Sequence, residues 1–128
     1  MKNKLSYPLV YLNKVNEDWI VDRTRREWYI NNKDLSTNFL YKSNIVWLIA
    51  PWNWDNTSKR HLSKKKVLCS IYHIDEEKFG EKEKKLFLER DSFVDEYHVI
   101  SKKTLQQVSE LTQKKITSIP FWVNKSIW

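Results

Sequence analysis

The sequence predicts an α/β fold: a Rossmann-like three-layer sandwich with a mainly parallel sheet, formed by a single domain over residues 1–128. The first observation is the stretch of residues 67–75, which opens with a run of apolar residues rich in β-branched types. Such a run is typical of a strand buried on both faces, and that burial requires helices on both sides of the sheet. The second observation is that predicted strands alternate with predicted helices, without repeats, low-complexity tracts or an internal linker.

The first half of the chain contains two predicted strands and a helix between them. Residues 7–12 form the first strand, and a helix from residue 17 to about residue 30 follows a polar turn, with Asn16 as its N-cap. Glu17 and Asp18 place negative charge at the positive end of the helix dipole. Residues 45–50 form the second buried strand, which Pro51 closes.

Two features between this strand and the central one have two interpretations each. Trp52 and Trp54 lie in a predicted polar loop, where they either pack on the rim of the sheet or form a surface that stacks on sugars or a partner. The basic run of residues 57–66 is either a solvated surface or a contact for a polyanion or membrane headgroups.

The second half repeats the alternation after the central strand. A helix is expected at residues 81–92, with Leu86, Arg90 and Phe93 roughly aligned, and a strand at residues 95–100. Ser101 is suited to cap the next helix. That helix spans residues 102–113, and a last strand at residues 116–119 ends before Pro120.

The composition excludes several classes of site. The one glycine, Gly80, cannot supply a P-loop, a dinucleotide fingerprint or a nucleophile elbow. Three histidines and one cysteine show no zinc-binding spacing, and the lone Cys69 excludes an internal disulfide framework and suits a reducing cytoplasm. No apolar run approaches the roughly 20 residues that cross a bilayer, and we expect no secretory signal.

His73 falls at or just past the carboxyl end of the central strand, the edge where ligands bind in open α/β sheets. It either contributes to a ligand site or caps the strand by hydrogen bonding to a neighbouring loop. Asp75, Glu76 and Glu77 follow directly; they either orient the imidazole and bind a polar ligand, or form an exposed helix start.

The order of these pieces resembles the amino-terminal half of GT-B glycosyltransferases, most closely the large retaining group called group 1 or family 4. The resemblance rests on Ser-Ile-Tyr-His at residues 70–73, Tyr-His-Val-Ile-Ser-Lys-Lys-Thr at 97–104 and Ile-Thr-Ser-Ile-Pro-Phe-Trp-Val-Asn at 116–124. In that family a strand ends in Thr-x-His, a later strand ends in a serine before a helix, and a hinge reads roughly Ile-Pro-Asn-Gly-Val-Asp. Asp-Trp-Ile at residues 18–20 is similar to members that lack the glycine-rich first loop.

The resemblance implies a cleft with an acceptor side and a donor side. It makes His73 the catalytic residue, which hydrogen-bonds sugar hydroxyls or stabilises developing charge. Asn16 and Trp19 are the expected acceptor-binding residues, with Asp75 beside them; Ser101 and Asn124 are expected on the donor side. No metal is expected.

Two departures from the family pattern limit what this chain does by itself. The hinge has Phe121-Trp122 in place of Asn-Gly and Asn124 in place of Asp, and the glycine-rich first loop is missing. The second domain, which binds the nucleotide sugar in this family, is absent from the chain, and Trp128 falls about where the chain would cross into it. We therefore expect no cofactor in this chain, a nucleotide-sugar donor only together with the missing domain, and no turnover by the chain alone.

Three functions remain as alternatives. The first is a glycosyltransferase domain that acts on a glycan or lipid-linked acceptor in the cytoplasm, with peripheral contact to the inner face of the membrane. The second is a small nucleic-acid-binding protein, which the net charge of +7 and seven tryptophans suggest but which the scattered aromatic positions disfavour. The third is a non-catalytic interaction domain of the same fold.

Overall fold

The computed structural model describes residues 8–14 and 20–120. Five strands alternate with four α-helices, and short 3₁₀ helices occur in the connections. The strands and helices are β1 (Val10–Leu12), α1 (Ile20–Asn31), β2 (Ile45–Leu48), α2 (Lys59–Leu62), β3 (Lys66–Ile71), α3 (Glu81–Asp91), β4 (Glu96–Val99), α4 (Lys102–Ser109) and β5 (Lys115–Ser118), with 3₁₀ helices at Lys33–Leu35, Leu40–Lys42 and Pro51–Asn56.

The strands form one sheet in the order β1-β2-β3-β4-β5, and every pairing between them is parallel. This confirms the predicted α/β class and the parallel sheet. In β3, Val67, Cys69 and Ile71 are buried on one face, and Ser70 is buried on the other. The alternation explains why the central stretch reads as almost continuously apolar, since both faces of this strand are covered.

A parallel bridge between Val10 and Ser36 lies on the outer edge of β1, opposite the edge that pairs with β2. The Thr37 amide donates to the Val10 carbonyl at 3.0 Å on the same edge. The chain therefore moves outwards from β1 through α1 to Ser36 and then returns past β1 to β2. This makes β1 and β2 the pair between which the direction of the chain reverses, the position where doubly wound sheets open a crevice.

The two faces of the sheet carry different helices. Trp47 of β2 packs edge to face on Trp28 of α1, with ring centroids 5.4 Å apart. Val46 and Leu48 point to the opposite face, where Phe87 of α3 joins their core cluster. Because right-handed crossovers fix the side on which a helix packs, the reversal at β1 places α1 on one face and the later helices on the other. The result is the predicted three-layer architecture.

Three strands end earlier than the sequence predicts. The second predicted strand, residues 45–50, leaves the sheet after Leu48, because the Ile49 amide turns back to the Trp47 carbonyl at 3.0 Å. The strand predicted over residues 116–119 ends at Ser118. The strand predicted over residues 95–100 likewise ends at Val99. The central strand ends at Ile71, opposite the last residue of β4, Val99, so His73 lies just past its carboxyl end, as predicted.

Two further expectations need correction. The segment after Pro51, predicted as a loop, is the Pro51–Asn56 3₁₀ helix. In α3 the buried side chain is Phe87, whereas Leu86, the apolar residue of this helix that the sequence aligned with Phe93, is exposed. A rotation of about 100° separates consecutive residues of a helix, so a short apolar stripe does not identify which neighbour points inwards.

Among the described residues, no helix has both the length and the apolar character needed to cross a bilayer.

Candidate functional site

The carboxyl ends of the five parallel strands share one edge of the sheet, as the sequence analysis requires. Ile71 of β3 pairs with Val99 of β4, so His73 and Ser101 each follow a paired residue by two positions. Parallel pairing therefore brings these two predicted residues to equivalent places on the same rim. The register by itself places them there.

Asn13 joins the carboxyl ends of β1 and β2. Its side-chain Nδ2 donates to the Ala50 carbonyl at 2.9 Å, and its Oδ1 accepts the Ala50 amide at 3.0 Å. The side chain is buried, and both of its polar ends are satisfied by one backbone unit. The sequence analysis treated Asn13 only as part of a polar turn, because nothing local to residues 13–16 indicates a partner 37 residues away.

A cavity of about 360 Å³ opens on the rim between the Pro51–Asn56 3₁₀ helix, the segment after β3 and α3. Its base is apolar: Pro51, Ile71 and Phe87 are buried. Its mouth is exposed and mostly polar. The residues at the mouth are Trp52, His73, Asp75, Lys78, Glu83 and Leu86. The structure therefore places His73 and Asp75, two of the predicted site residues, in one cavity.

The two tryptophans of this 3₁₀ helix have separate roles. Trp54 is buried and packs on Phe93, with ring centroids 5.7 Å apart. Trp52 is 44% exposed and lies 6.4 Å from the ring of Tyr72 between centroids. Trp54 therefore packs at the rim, as one of the two interpretations predicted, and Trp52 exposes an aromatic surface to the cavity.

Tyr72 forms part of the cavity wall and is anchored from below. Its hydroxyl donates to the Ile49 carbonyl, just past β2. Burial raises the pKa of the Tyr72 phenol above its ordinary value. The ring is therefore a neutral, fixed wall of the cavity at physiological pH.

His73 is exposed and makes no hydrogen bond within the described part of the chain. Asp75 does not orient it, because the Asp75 Oδ1 instead accepts the Glu77 amide at 3.1 Å in a local turn. Among the described residues, no hydrogen bond or ion pair joins the imidazole to the acidic cluster, so the alternative in which the cluster orients the imidazole is not seen there. The imidazole lies at the mouth of the cavity, and within the described part of the chain neither of its nitrogens has a hydrogen-bond partner.

Ser101 is the N-cap of α4, as predicted: its Oγ accepts the Thr104 amide at 3.2 Å. It does not line the cavity that contains His73. A second cavity of about 250 Å³, lined by Ile74, Phe79 and Gln107 among others, also omits Ser101. The structure brings Ser101 to the same rim as His73 but not into the same cavity.

Arg90 of α3 also lines the cavity and was missed as a site residue. Its Nη1 donates to the Pro51 carbonyl at 3.4 Å, and its guanidinium carbon lies 5.1 Å from the centre of the Phe87 ring. A sequence signal existed, since Arg90 is roughly aligned with the apolar residues Leu86 and Phe93. An arginine in such a position is a candidate for recognition.

A row of hydrogen-bonded polar side chains lies on the face of the sheet that carries α1. The Trp47 indole donates to the Ser70 Oγ at 2.8 Å, and Ser70 Oγ lies 2.8 Å from His98 Nδ1. His98 Nε2 lies 2.8 Å from the Ile119 carbonyl, which requires a proton on that nitrogen. With that tautomer each donor in the row has an acceptor. The sequence analysis did not single out His98, and this network gives it a structural role.

Asn16, Trp19 and Asn124 lie outside the described residues. Within residues 8–14 and 20–120, no group of three His, Cys, Asp or Glu side chains is arranged to hold a metal ion.

In comparisons with known proteins, no family model, no curated protein and no solved structure matches this chain.

Proposed function

We propose that this chain is the acceptor-binding domain of a glycosyltransferase that transfers a sugar from a nucleotide sugar, with retention, to a glycan or lipid-linked acceptor. The observation that carries the proposal is the cavity at the carboxyl rim of a parallel sheet, where Trp52 and His73 are both exposed. An aromatic face beside hydrogen-bonding side chains is the kind of surface that holds a sugar ring.

Each residue at the mouth has a distinct part in this proposal. Trp52 stacks on the apolar face of the acceptor ring. The His73 imidazole, which has no hydrogen bond among the described residues, bonds a sugar hydroxyl and stabilises charge that develops during transfer. Asp75, exposed beside it, accepts a second hydroxyl through its other carboxylate oxygen.

Transfer requires a second domain that carries the nucleotide sugar and closes over the rim. Ser101 and the amino terminus of α4 lie on the same rim and form the donor-side edge in this proposal. The setting proposed for the reaction is the cytoplasm, at the inner face of the membrane. The basic segment before β3, which includes the exposed Arg60 and Lys64, suits anionic headgroups there.

The binding half of the proposal is tested by nuclear magnetic resonance. Titration of the labelled chain with a panel of mono- and disaccharides should shift the Trp52 indole and His73 imidazole signals. The His61 imidazole, in α2 and outside both cavities, serves as the internal control and should not move. A panel that moves no rim signal would contradict the proposal. Binding of single-stranded oligonucleotides that falls steeply with salt would favour the nucleic-acid alternative instead.

The catalytic half is tested in a protein that joins the chain to a donor-binding domain. His73→Ala should lower the rate of sugar transfer about 100-fold, the usual scale for a positioned catalytic group. His61→Ala is the matched control and should leave the rate unchanged. Equal transfer by the His73→Ala variant and the unaltered protein would support a non-catalytic interaction domain.

A further inference from the structure

Within residues 8–14 and 20–120, the guanidinium of Arg90 has no charged partner. Glu83 and Arg90 each lie three or four residues from the adjacent pair Leu86 and Phe87, so the four residues form the stripe of α3 that lines the cavity. Arg90 Nε is buried and has no hydrogen-bond partner among the described residues. The one hydrogen bond that the structure gives this side chain is the long contact from Nη1 to the Pro51 carbonyl, at 3.4 Å.

The hydrogen-bond donors and the charge of the Arg90 side chain are thus incompletely compensated by the described residues. A guanidinium carries five N–H donors, and a partly buried cation without a counter-charge is costly. The Phe87 ring, with its centre 5.1 Å from the guanidinium carbon, compensates a part of this cost. In the described part of the chain, no carboxylate forms an ion pair with Arg90. The position therefore favours an anion that the protein does not itself supply.

The two carboxylates at the mouth of the cavity do not fill this role. Glu83 Oε2 accepts the Gly80 amide at 3.1 Å, and Asp75 Oδ1 accepts the Glu77 amide. Both side chains are exposed, so water and salt screen their charges. The exposed Lys78 at the same mouth adds a positive charge that offsets one of them.

We propose that the cavity binds a sugar that carries a carboxylate or phosphate group, with the anion paired to Arg90 and the ring against Trp52. This deepens the proposed function by naming the class of acceptor, and it rests on that function. A volume of about 360 Å³ suits a single substituted sugar ring. An arginine matches the two oxygens of such a group with two parallel hydrogen bonds, which a lysine cannot do.

Calorimetric titration of the chain tests the inference with three probes of similar size: glucuronate, glucose 6-phosphate and uncharged glucose. One or both anionic sugars should bind at least about tenfold more tightly than glucose, and the preference between them identifies carboxylate or phosphate as the group recognised. Inorganic phosphate and acetate serve as anion controls and should bind more weakly than the matching sugar, because they lack the ring.

Substitutions test whether the preference for anionic sugars depends on Arg90. Arg90→Gln should abolish the preference for the anionic sugar over glucose, and Arg90→Lys should retain only a part of the preference. Lys85→Gln removes a positive charge from the same helix outside both cavities and should leave all affinities unchanged. Circular dichroism verifies that each variant is folded, and the preference of the unaltered chain requires no variant.

Equal affinity for anionic and uncharged sugars, no binding of any probe, or a preference that survives in Arg90→Gln would overturn the inference. These results are distinguishable from failure of the proposed function. If glucose alone binds at Trp52 and His73, the acceptor domain stands and the anionic class is wrong. If anionic sugars bind through Arg90 but His73→Ala transfers normally in the joined protein, the anion site stands and the catalytic role is wrong.

Discussion

At the scale of single residues, the rim depends on side chains that satisfy backbone groups from distant segments. Asn13 bridges to Ala50 across the point where the chain reverses its direction in the sheet. Tyr29 and Arg25 act similarly at the outer edge of β1: the Tyr29 hydroxyl accepts the Leu12 amide, and the Arg25 Nε donates to the Leu12 carbonyl. Side chains thus replace strand partners where the sheet ends.

Replacing Asn13 with alanine should therefore destabilise the fold. The change leaves the buried Ala50 amide unpaired, whereas the Ala50 carbonyl still accepts the Asn53 amide at 3.1 Å, so the expected cost is about 2 kcal/mol. Urea unfolding, followed by tryptophan fluorescence, measures the loss. Asn38→Ala, at an exposed position, is the control and should change the free energy of unfolding by less than about 0.5 kcal/mol. Equal stability of the two variants would show that the bridge is unimportant.

Cys69 gives a pH-dependent prediction. Burial raises the pKa of this thiol from 9.0 to about 11, so above pH 9 the unfolded chain loses the proton while the folded chain keeps it. The stabilisation is complete below pH 9 and is lost as the pH rises through 11. From pH 8 to pH 10 the unaltered protein should lose about 1.4 kcal/mol more stability than Cys69→Ala, as measured by urea unfolding. Parallel pH profiles of the two proteins would contradict this assignment.

At the scale of elements, the Pro51–Asn56 3₁₀ helix contributes one tryptophan to the core and one to the cavity. Trp54 faces the core with Phe93, and the Lys59 ammonium lies 5.3 Å from the centre of its ring. Trp52 faces the cavity. The backbone of Asn53, between them, has non-helical dihedral angles (φ −109°, ψ 23°), so the two tryptophans lie on either side of a kink and point in different directions.

Two alanine substitutions should separate these roles. Trp54→Ala creates a hole in the core and should cost about 3–5 kcal/mol of unfolding free energy. Trp52→Ala, at a half-exposed position, should cost less than about 1 kcal/mol but weaken saccharide binding at least about threefold. Thermal unfolding and the saccharide titration are measured on both variants. The reverse pattern would mean that the cavity face has been assigned to the wrong tryptophan.

At the scale of the whole molecule, the central strand β3 is more deeply buried than the edge strand β5. β3 lies between β2 and β4, with buried residues on both of its faces, whereas β5 has β4 as its one neighbour in the sheet and is mostly exposed. Backbone hydrogen bonds that are covered by packed side chains open less often than exposed ones. His73, the catalytic residue in the proposed function, follows β3, and the burial of this strand keeps the rim in place.

Native-state hydrogen exchange should reflect this gradient. Amides of β3, such as those of Val67 and Cys69, should exchange only through global unfolding, whereas the amide of Ile116 in β5 should exchange through local opening at least about tenfold faster. Nuclear magnetic resonance measures the exchange rates of the individual amides in β3 and β5. Equal protection of β5 and β3 would mean that the exposed edge is covered by something beyond the described residues.

The sequence alone determined the α/β class, the parallel direction of the strands and the presence of His73 and Ser101 on one rim. Those features follow from short-range patterns, since apolar runs, caps and the alternation of elements are local properties of the chain. Tertiary structure alone decided that Asn13 binds Ala50, that Trp52 and not Trp54 faces the cavity, and that Arg90 has no counter-charge among the described residues. These depend on contacts between segments tens of residues apart, whose relative placement is settled only when the whole sheet and its layers pack together.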